Sequence, residues 1–277
     1  MGGYGMHIVV CIKQVPDTTE IKIDPVTNTL IRENIPSIVN PFDVNAVEEA
    51  LRIKEKYGGT IEVISMGPPQ AVVALRKLVS LGVDEAILLS DRAFAGADTL
   101  ATAYTLTQAI RKMSDKEKVD IVFCGKQAID GDTGQVGPGI ATRLGWPQLT
   151  YVTKIVAIEP EKRDIQVRRK VDGRIETVSA SLPTVITVIK EINTPRYPTL
   201  NNRLEANKYV PSTWNKVSID AIPEKIGMQG SPTSVKKIFT APPRTVADKI
   251  TVDCTKDTTK LPLAIEKIIP LIKNKGE

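Results

Sequence analysis

A polar, glycine-containing loop that joins a buried strand to a helix carries the residues best suited to hold a ligand. The apolar run 121–124 predicts a strand of a parallel sheet, and residues 135–144 predict a helix. Backbone N–H groups at the start of a helix have no partner within it, so they suit a phosphate. The loop contains neither GxGxxG nor GxxxxGK[ST], and an ordinary strand-to-helix connection stays the alternative to a phosphate site.

The chain offers few side chains for covalent catalysis or metal binding. Its three cysteines, Cys11, Cys124 and Cys254, are far apart in the sequence, and no CxxC motif or histidine-rich neighbourhood accompanies them. A disulfide scaffold and a zinc site are therefore not expected, and no metal site is predicted. His7 is the only histidine and opens a predicted strand, which favours a structural role over a Ser-His-Asp centre.

Composition indicates a protein that folds in water. Hydrophobic residues make up 42% of the 277 residues and charged residues 25%. No apolar run approaches the roughly 18 residues that span a bilayer, and the first residues lack a secretory signal, so we expect a cytoplasmic protein that does not span the membrane. The net charge of +5 is scattered and aromatic residues make up only 4%, so nucleic-acid binding is not expected.

Strands alternate with helices in the first half of the chain, and the strands are predicted at residues 7–12, 60–66, 84–90 and 121–124. The segments between them carry apolar residues at helical spacing, and the first helix is predicted to begin at Asp43 as its cap. Residues 20–34 alternate around a turn and predict a small hairpin. This order predicts an α/β fold with a doubly wound, mainly parallel sheet.

The second half of the chain follows a different pattern. Further β-runs are predicted at residues 149–158, 164–171, 174–180 and 182–189. The first two lack room for a crossover helix, so they predict an antiparallel extension of the same sheet, with a hairpin turn at Asp172 and Gly173. We therefore assign residues 1–190 to one α/β domain.

Residues 191–277 are assigned to an extended arm. Seven prolines punctuate residues 190–247, which predicts neither a sheet nor a helical bundle. Apolar side chains within this segment indicate an arm that lies on another surface: Leu204, Tyr209, Val210, Trp214, Val217 and Ile219. An apolar helix is predicted at residues 261–273, with a partner chain as one of its possible neighbours.

Several spaced motifs, in one order, resemble the small, or beta, subunit of the electron transfer flavoproteins. They are VVCIKQVPDT at residues 9–18, NPFDVNAVEEALRIKEK at 40–56, ISMGPP at 64–69, GKQAIDGDTGQVGPGIATRLGWPQ at 125–148 and VDGRIETVSASLPTVITV at 171–188. The resemblance covers nearly the whole chain from Met6. It implies a doubly wound subunit that pairs with a larger alpha subunit, which carries a flavin and which the arm embraces.

The resemblance also implies an adenine-nucleotide site in the crevice at the strand ends. Its residues fall on Cys11, Asn40, Pro41, Phe42, Asp43, Met66, Gly125, Lys126, Gln127, Ala128, Ile129, Asp130, Gly131, Asp132, Thr133, Gly134, Gln135 and Val136. Asn40 and the backbones of Cys11 and Met66 are expected to hold the adenosine, and the amides of 132–136 the phosphate. Lys126 adds charge there or is simply a solvated lysine.

The resemblance leaves two ligands open for this site. Ordinary members keep AMP as a structural ligand, whereas electron-bifurcating members bind a second FAD and oxidise NADH. VPDT at 15–18 and SDRAFAGADTLATA at 90–103 resemble the loops of the bifurcating group. A flavin ring there would face Arg92, Asp98, Thr99 and Thr102, although Asp98 and Thr99 are also suited simply to cap a helix.

The expected function follows from the FAD reading. Electrons from NADH would pass to a quinone- or acyl-CoA-linked acceptor and to ferredoxin or flavodoxin, whereas the AMP-binding alternative would take electrons from acyl-CoA dehydrogenases. A non-redox AMP- or ATP-binding module is a further alternative that the arm does not favour.

One segment of the arm is expected to contact a dehydrogenase or quinone-linked partner. NTPRYPTLNNRL at 193–204 resembles the family's recognition loop. Leu200 would be its apolar anchor, with Arg196 and Arg203 at the rim. A solvent-exposed linker is the alternative reading of this segment.

Overall fold

The computed structural model describes residues 5–17 and 36–235, together with Pro262, Ile265, Glu266 and Ile269. Residues 238–277 form a unit separate from the rest of the chain. The hairpin predicted at 20–34 lies outside the described residues, and so does nearly all of the helix predicted at 261–273.

A nine-stranded sheet is the centre of the described part, and a two-stranded antiparallel ladder lies beside it. In chain order the strands are β1 (Met6–Cys11), β2 (Gln14–Pro16), β3 (Ser37–Val39), β4 (Gly59–Met66), β5 (Glu85–Leu89), β6 (Ile121–Gly125), β7 (Gln148–Glu159), β8 (Asp164–Val171), β9 (Arg174–Ser181), β10 (Thr184–Val188) and β11 (Ser212–Trp214). Their order across the large sheet is β11-β5-β4-β1-β6-β10-β7-β8-β9, and β2 pairs with β3. The central strands are parallel, as predicted.

Helices cover both faces of the sheet. They are α1 (Pro41–Tyr57), α2 (Val72–Val79), α3 (Thr99–Lys116), α4 (Val136–Leu144) and α5 (Leu200–Lys208), with 3₁₀ turns at Pro69–Ala71, Arg92–Phe94, Lys190–Ile192 and Pro223–Lys225. Alternate residues of β1 enter two separate apolar cores, which is why this strand is buried along its whole length. One core contains α1 and α2, and the other contains α3 and α4. The prediction of a doubly wound α/β fold is confirmed.

The antiparallel extension is also confirmed, with one feature that the sequence did not show. β7 first pairs in parallel with β10, and after Tyr151 it pairs antiparallel with β8, which in turn pairs with β9. Tyr151 has a φ of 58°, which a bulky side chain rarely adopts, and it precedes Val152, which pairs with β10 on one side and with β8 on the other. The turn at Asp172 and Gly173 has positive φ at both residues, as a two-residue hairpin requires.

Two expectations about local structure are wrong. The segment 190–247 was expected to form neither a sheet nor a helical bundle but an arm on another surface. Its described part instead packs on this chain, since it contains α5, and β11 adds to the edge of the sheet in parallel with β5. Trp214 and Ile219 pack in the core of this chain itself. Asp43 was expected to cap α1, but the cap residue is Asn40, and Pro41 occupies the first helical position, where a missing N–H costs nothing.

No helix in the part of the chain that the structure describes is both long enough and apolar enough to cross a bilayer.

Candidate functional site

The carboxyl ends of the central strands meet at one edge of the sheet. Cys11, at the end of β1, pairs with Ile64 of β4 on one side and with Cys124 of β6 on the other. Met66 ends β4 opposite Leu89 of β5. The segments singled out in the sequence after β1, β4 and β6 therefore share one rim, as the parallel arrangement requires.

A crevice opens at this rim between β1 and β6. The chain leaves β1 for α1 on one face of the sheet, and it leaves β6 for α4 on the opposite face. Two adjacent strands whose connections diverge in this way form a topological switch point, where open α/β sheets bind their ligands. The crevice is therefore the candidate site.

Asp43 ties the two sides of the crevice together. Its Oδ2 accepts a hydrogen bond of 2.7 Å from the backbone N of Lys13, and its Oδ1 accepts one of 3.1 Å from the backbone N of Gly125. Oδ1 also accepts from Asn40 Nδ2 at 2.9 Å. We call these four residues the crevice clamp, because Lys13 follows β1 and Gly125 ends β6.

The carboxyl of Asp43 is almost completely enclosed. Burial raises the pKa of Asp43 to about 7, against the hydrogen bonds from Asn40, Lys13 and Gly125, which lower it. A Cβ on Gly125 would lie 2.3 Å from Asp43 Oδ1 and 2.6 Å from Phe42 Cβ, so only glycine allows this close approach. The buried side chain of Asp43 thus holds the two sides of the crevice together.

Asn40 extends the clamp to the loop after β6. Its Nδ2 also donates to the backbone O of Gln127 at 2.9 Å, and its Oδ1 accepts from the backbone N of Ile129 at 3.3 Å. Both ends of the Asn40 amide are therefore engaged in positioning the loop. Predicted contacts to adenosine would have to share these groups.

The rest of the loop is held by polar side chains and by unusual backbone conformations. Lys13 Nζ lies 2.8 Å from both carboxylate oxygens of Asp130, and Gln127 Nε2 donates to Asp132 at 2.6 Å. Asp132 and Gly134 have φ values of 52° and 64°. Lys13 was not singled out in the sequence, although its place directly after the first strand was a signal that it lies at the rim.

The start of α4 presents backbone amides at the end of this loop. Gln135 is its cap residue, so the helix begins at Val136, one position after the start predicted at residue 135. A Cβ on Gly137 would lie 2.5 Å from Thr187 Cγ2, so this glycine lets the helix lie close against β10. The first-turn N–H groups have no partner within the helix, which is the property expected of a phosphate site.

The residues predicted to face a flavin ring lie around the start of α3. Asp98 caps this helix by accepting from Leu100 N and Ala101 N, and it also accepts from Thr233 Oγ1 at 2.8 Å. Although burial raises it, these bonds hold the pKa of Asp98 below its usual range. Thr99 Oγ1 donates to Gln135 Oε1 at 2.8 Å, which links the start of α3 to the start of α4.

Arg92 and Thr102 are the other two residues predicted to face a flavin ring. Arg92 is exposed in its 3₁₀ turn, and Thr102 is half-buried within the first turn of α3. The structure therefore brings Thr99 next to the loop after β6, while Asp98 is engaged in capping α3 and holding Thr233.

Cys11 and Cys124 are neighbours on adjacent strands and face the same core. A hydrogen bond with Cys124, together with burial, raises the pKa of the Cys11 thiol well above its usual value. Such thiols are poor nucleophiles. The sequence separated these cysteines, and only the order of the strands brings them together.

The predicted partner-recognition residues have different surroundings. Arg196 is held by Glu48, at 2.9 Å, and by Glu55, both on α1, so it anchors the segment to its own chain. Leu200 and Tyr197 are 72% and 94% exposed, and Arg203 is exposed on α5. An anchored segment that presents apolar side chains to solvent is consistent with a docking surface.

The chain was compared with known proteins. Residues 27–216 match the family model described as electron transfer flavoprotein domain. Protein FixA of Azotobacter vinelandii is 51% identical over 241 residues, which cover 86% of this chain and 85% of the relative.

Two further relatives are named electron transfer flavoprotein subunit beta, and they match this chain over a similar share of its length. The electron transfer flavoprotein subunit beta of Clostridium acetobutylicum is 51% identical over 85% of this chain and 88% of its own length. The protein of the same name from Megasphaera elsdenii is 46% identical over 95% of this chain and 98% of its own length. The chain therefore belongs to the electron transfer flavoprotein family, among its beta subunits and FixA proteins.

Proposed function

We propose that this chain is the subunit of a heterodimeric electron transfer flavoprotein that binds an adenine nucleotide cofactor in the crevice between β1 and β6. The observation that carries the proposal is the crevice clamp, which fastens the segments after β1 and β6 to the start of α1 at a topological switch point. Relatives named subunit beta support an alpha subunit as the partner chain.

The cofactor that we assign to this crevice is FAD, and the electron donor is NADH. The assignment is supported by segment 90–103, because the bond between Thr99 and Gln135 places the start of α3 beside the loop after β6. Arg92 lies exposed nearby in the chain, as a cation available to tune a flavin. Electrons would be divided between a quinone- or acyl-CoA-linked acceptor and ferredoxin or flavodoxin.

In this role the side chains of this subunit position the cofactor and do not act as general acids or bases. A bound flavin would supply the electron chemistry. The fit is supported by the crevice clamp, by the amides at the start of α4 and by Gly125, where any side chain would collide with Asp43. Residues of the rim would hold the adenylate end, and the start of α3 would lie toward the ring.

One observation favours AMP as a second candidate ligand, in a carrier that takes electrons from acyl-CoA dehydrogenases. Asp98 and Thr99 already have partners within the chain, namely Thr233 and Gln135, together with the first amides of α3. These bonds give both residues a structural role that needs no flavin.

Partner docking is assigned to the segment that contains Tyr197 and Leu200. Arg196 and its carboxylate partners on α1 hold the segment in place, so its exposed apolar side chains are presented without a large cost in ordering. Leu200→Ala is expected to slow electron transfer to the dehydrogenase or quinone-linked partner while the melting temperature stays unchanged.

Cofactor content tests the proposed function. The chain is co-expressed with its alpha subunit, and FAD and AMP are extracted and quantified per heterodimer. Two FAD with little AMP supports the FAD assignment, one FAD with one AMP supports the carrier, and a colourless complex with bound ATP overturns both. Bleaching of the flavin bands by NADH tests the donor.

A matched pair of variants tests the crevice. Asn40→Ala is expected to remove most of the nucleotide of this crevice, because the loop after β6 loses two hydrogen bonds. Asn201→Ala, on the exposed surface of α5, is the control and should keep full content. Equal content in both variants would show that the nucleotide binds elsewhere.

A further inference from the structure

A second concave site lies at the start of α1, beside the crevice. Its volume is about 400 Å³. The lining residues come from α1, the loop after β6, β7, the end of β8 with the turn that follows it, and the segment after β10: Phe42, Lys126, Tyr151, Lys170, Asp172, Gly173, Ile189, Lys190 and Glu191. We call it the lysine cavity.

The three lysines that line the lysine cavity differ in whether they form an ion pair. Lys170 has a carboxylate partner, since its Nζ lies 3.6 Å from Glu191. Across residues 5–17 and 36–235, neither Lys126 nor Lys190 has a carboxylate within ion-pair distance. Instead the ammonium of Lys126 lies 5.2 Å from the centre of the Tyr151 ring, and that of Lys190 lies 5.2 Å from the centre of the Phe42 ring. The lining thus holds three lysines against two carboxylates, Asp172 and Glu191, so the cavity has an excess of positive charge.

The backbone of β7 is distorted at the point where Tyr151 reaches the cavity. The register between β7 and β10 shifts there by a bulge, and Tyr151 N donates to the hydroxyl of Thr187 instead of continuing the ladder. The φ of 58° is unfavourable for tyrosine. Bulges of this kind turn a side chain toward a site, and here the ring lies under Lys126.

We propose that the lysine cavity binds a small phosphate-bearing anion through Lys126 and Lys190. The volume suits a small molecule. One face of each aromatic ring already has an ammonium group above it, so recognition is expected to depend on charge more than on stacking of a base. The lysine cavity is lined by the same residues whether FAD or AMP is the nucleotide of the crevice.

The lysine cavity and the crevice share the loop after β6. Lys126 N donates to the backbone O of Val188 at 2.8 Å, and the next residue, Gln127, accepts from Asn40 of the clamp. An anion that holds the Lys126 side chain therefore restrains the same loop that the nucleotide contacts. By linkage, each ligand changes the affinity of the other by the same factor.

Titration calorimetry with inorganic pyrophosphate tests the proposal on the heterodimer, with excess AMP present throughout. Saturable binding is expected, and Lys190→Ala should weaken it by about tenfold or more, as the loss of one charge-assisted hydrogen bond predicts. Lys190→Arg should restore most of the affinity. Lys154→Ala, an exposed lysine of β7 away from the cavity, is the control and should bind as the wild type does.

Three results would overturn the proposal: no saturable binding, equal effects of Lys190→Ala and Lys154→Ala, or saturable binding of pyrophosphate that is seen only in a parallel titration without AMP. The last result would place the anion in the crevice. Cofactor content of the Lys190→Ala heterodimer is measured in parallel and should equal that of the wild type, so failure of this site is distinguishable from failure of the proposed function.

Discussion

Replacing Asp43 with asparagine tests the crevice clamp directly, because the change keeps the shape of the side chain and removes one acceptor. The carboxylate accepts from Lys13 N through one oxygen and from Gly125 N and Asn40 Nδ2 through the other. An asparagine offers one acceptor oxygen, so at least one buried N–H would face its amide. An unpaired buried donor costs roughly 1–3 kcal/mol.

A second effect acts in the opposite direction and depends on pH. The pKa of Asp43 rises from 3.8 to about 7 on burial, so the folded state holds a proton that the unfolded state releases. This contribution to stability is complete below the unfolded pKa and is lost as the pH rises through the folded pKa. Between about pH 5 and pH 8 the wild type should lose roughly 3 kcal/mol through this group, and Asp43→Asn should lose none.

Thermal melts of the two proteins across this pH range measure the effect. The difference in unfolding free energy between the variant and the wild type should shift by roughly 3 kcal/mol in favour of the variant. Each kcal/mol corresponds to about 2–4 °C in melting temperature. Asp115→Asn, an exposed position on α3, is the control and should show no such trend. Parallel melting curves for Asp43→Asn and wild type at every pH would refute the reasoning about the buried carboxyl. Unchanged nucleotide content would refute the role of the clamp.

Three further predictions concern Gly125, His7 and Arg196. Gly125→Ala should lower the free energy of unfolding by about 1–3 kcal/mol through overpacking against Asp43, whereas Gly131→Ala, where an added Cβ meets nothing within 4 Å, should be nearly neutral in urea melts. Glu62→Gln should lower the pKa of His7, which burial lowers but the hydrogen bonds to Glu62 and Glu117 raise, and the single histidine signal in an NMR titration reports it. Arg196→Ala should speed amide exchange in α5 with little loss of global stability, because this guanidinium is partly exposed; unchanged exchange would contradict the anchoring role.

The elements of the central sheet could be predicted because each is long and patterned. The six residues of β1 are buried on both faces, so an uninterrupted apolar run identified the strand without any knowledge of its neighbours. β11 has only three residues, and α5 has almost no apolar face, so neither left a pattern of its own. Their positions depend on contacts with β5 and α2, which lie far away in the sequence.

Pattern was also insufficient where one residue type serves two roles. An aspartate near the start of a helix predicts a cap, and Asp98 does cap α3. Asp43 has the same sequence signature, but it lies within the first turn and its carboxylate accepts amides from two strands. Which role applies depends on whether the amides of other segments are within reach, and the sequence does not contain this information.

The position of the clamp follows from the topology. Where the connections of two adjacent strands diverge to opposite faces, the segments that follow the two strands lead away from each other, and bonds between those segments must hold the crevice in shape. Asp43 joins the two sides of the crevice by accepting from the N–H of Lys13, which follows β1, and from the N–H of Gly125, which ends β6. Those two amides are then unavailable to a ligand, so we expect a phosphate to depend on the loop after β6 and on the start of α4. The same loop begins at Lys126, whose side chain faces the lysine cavity, and this is why the two sites are expected to respond to each other.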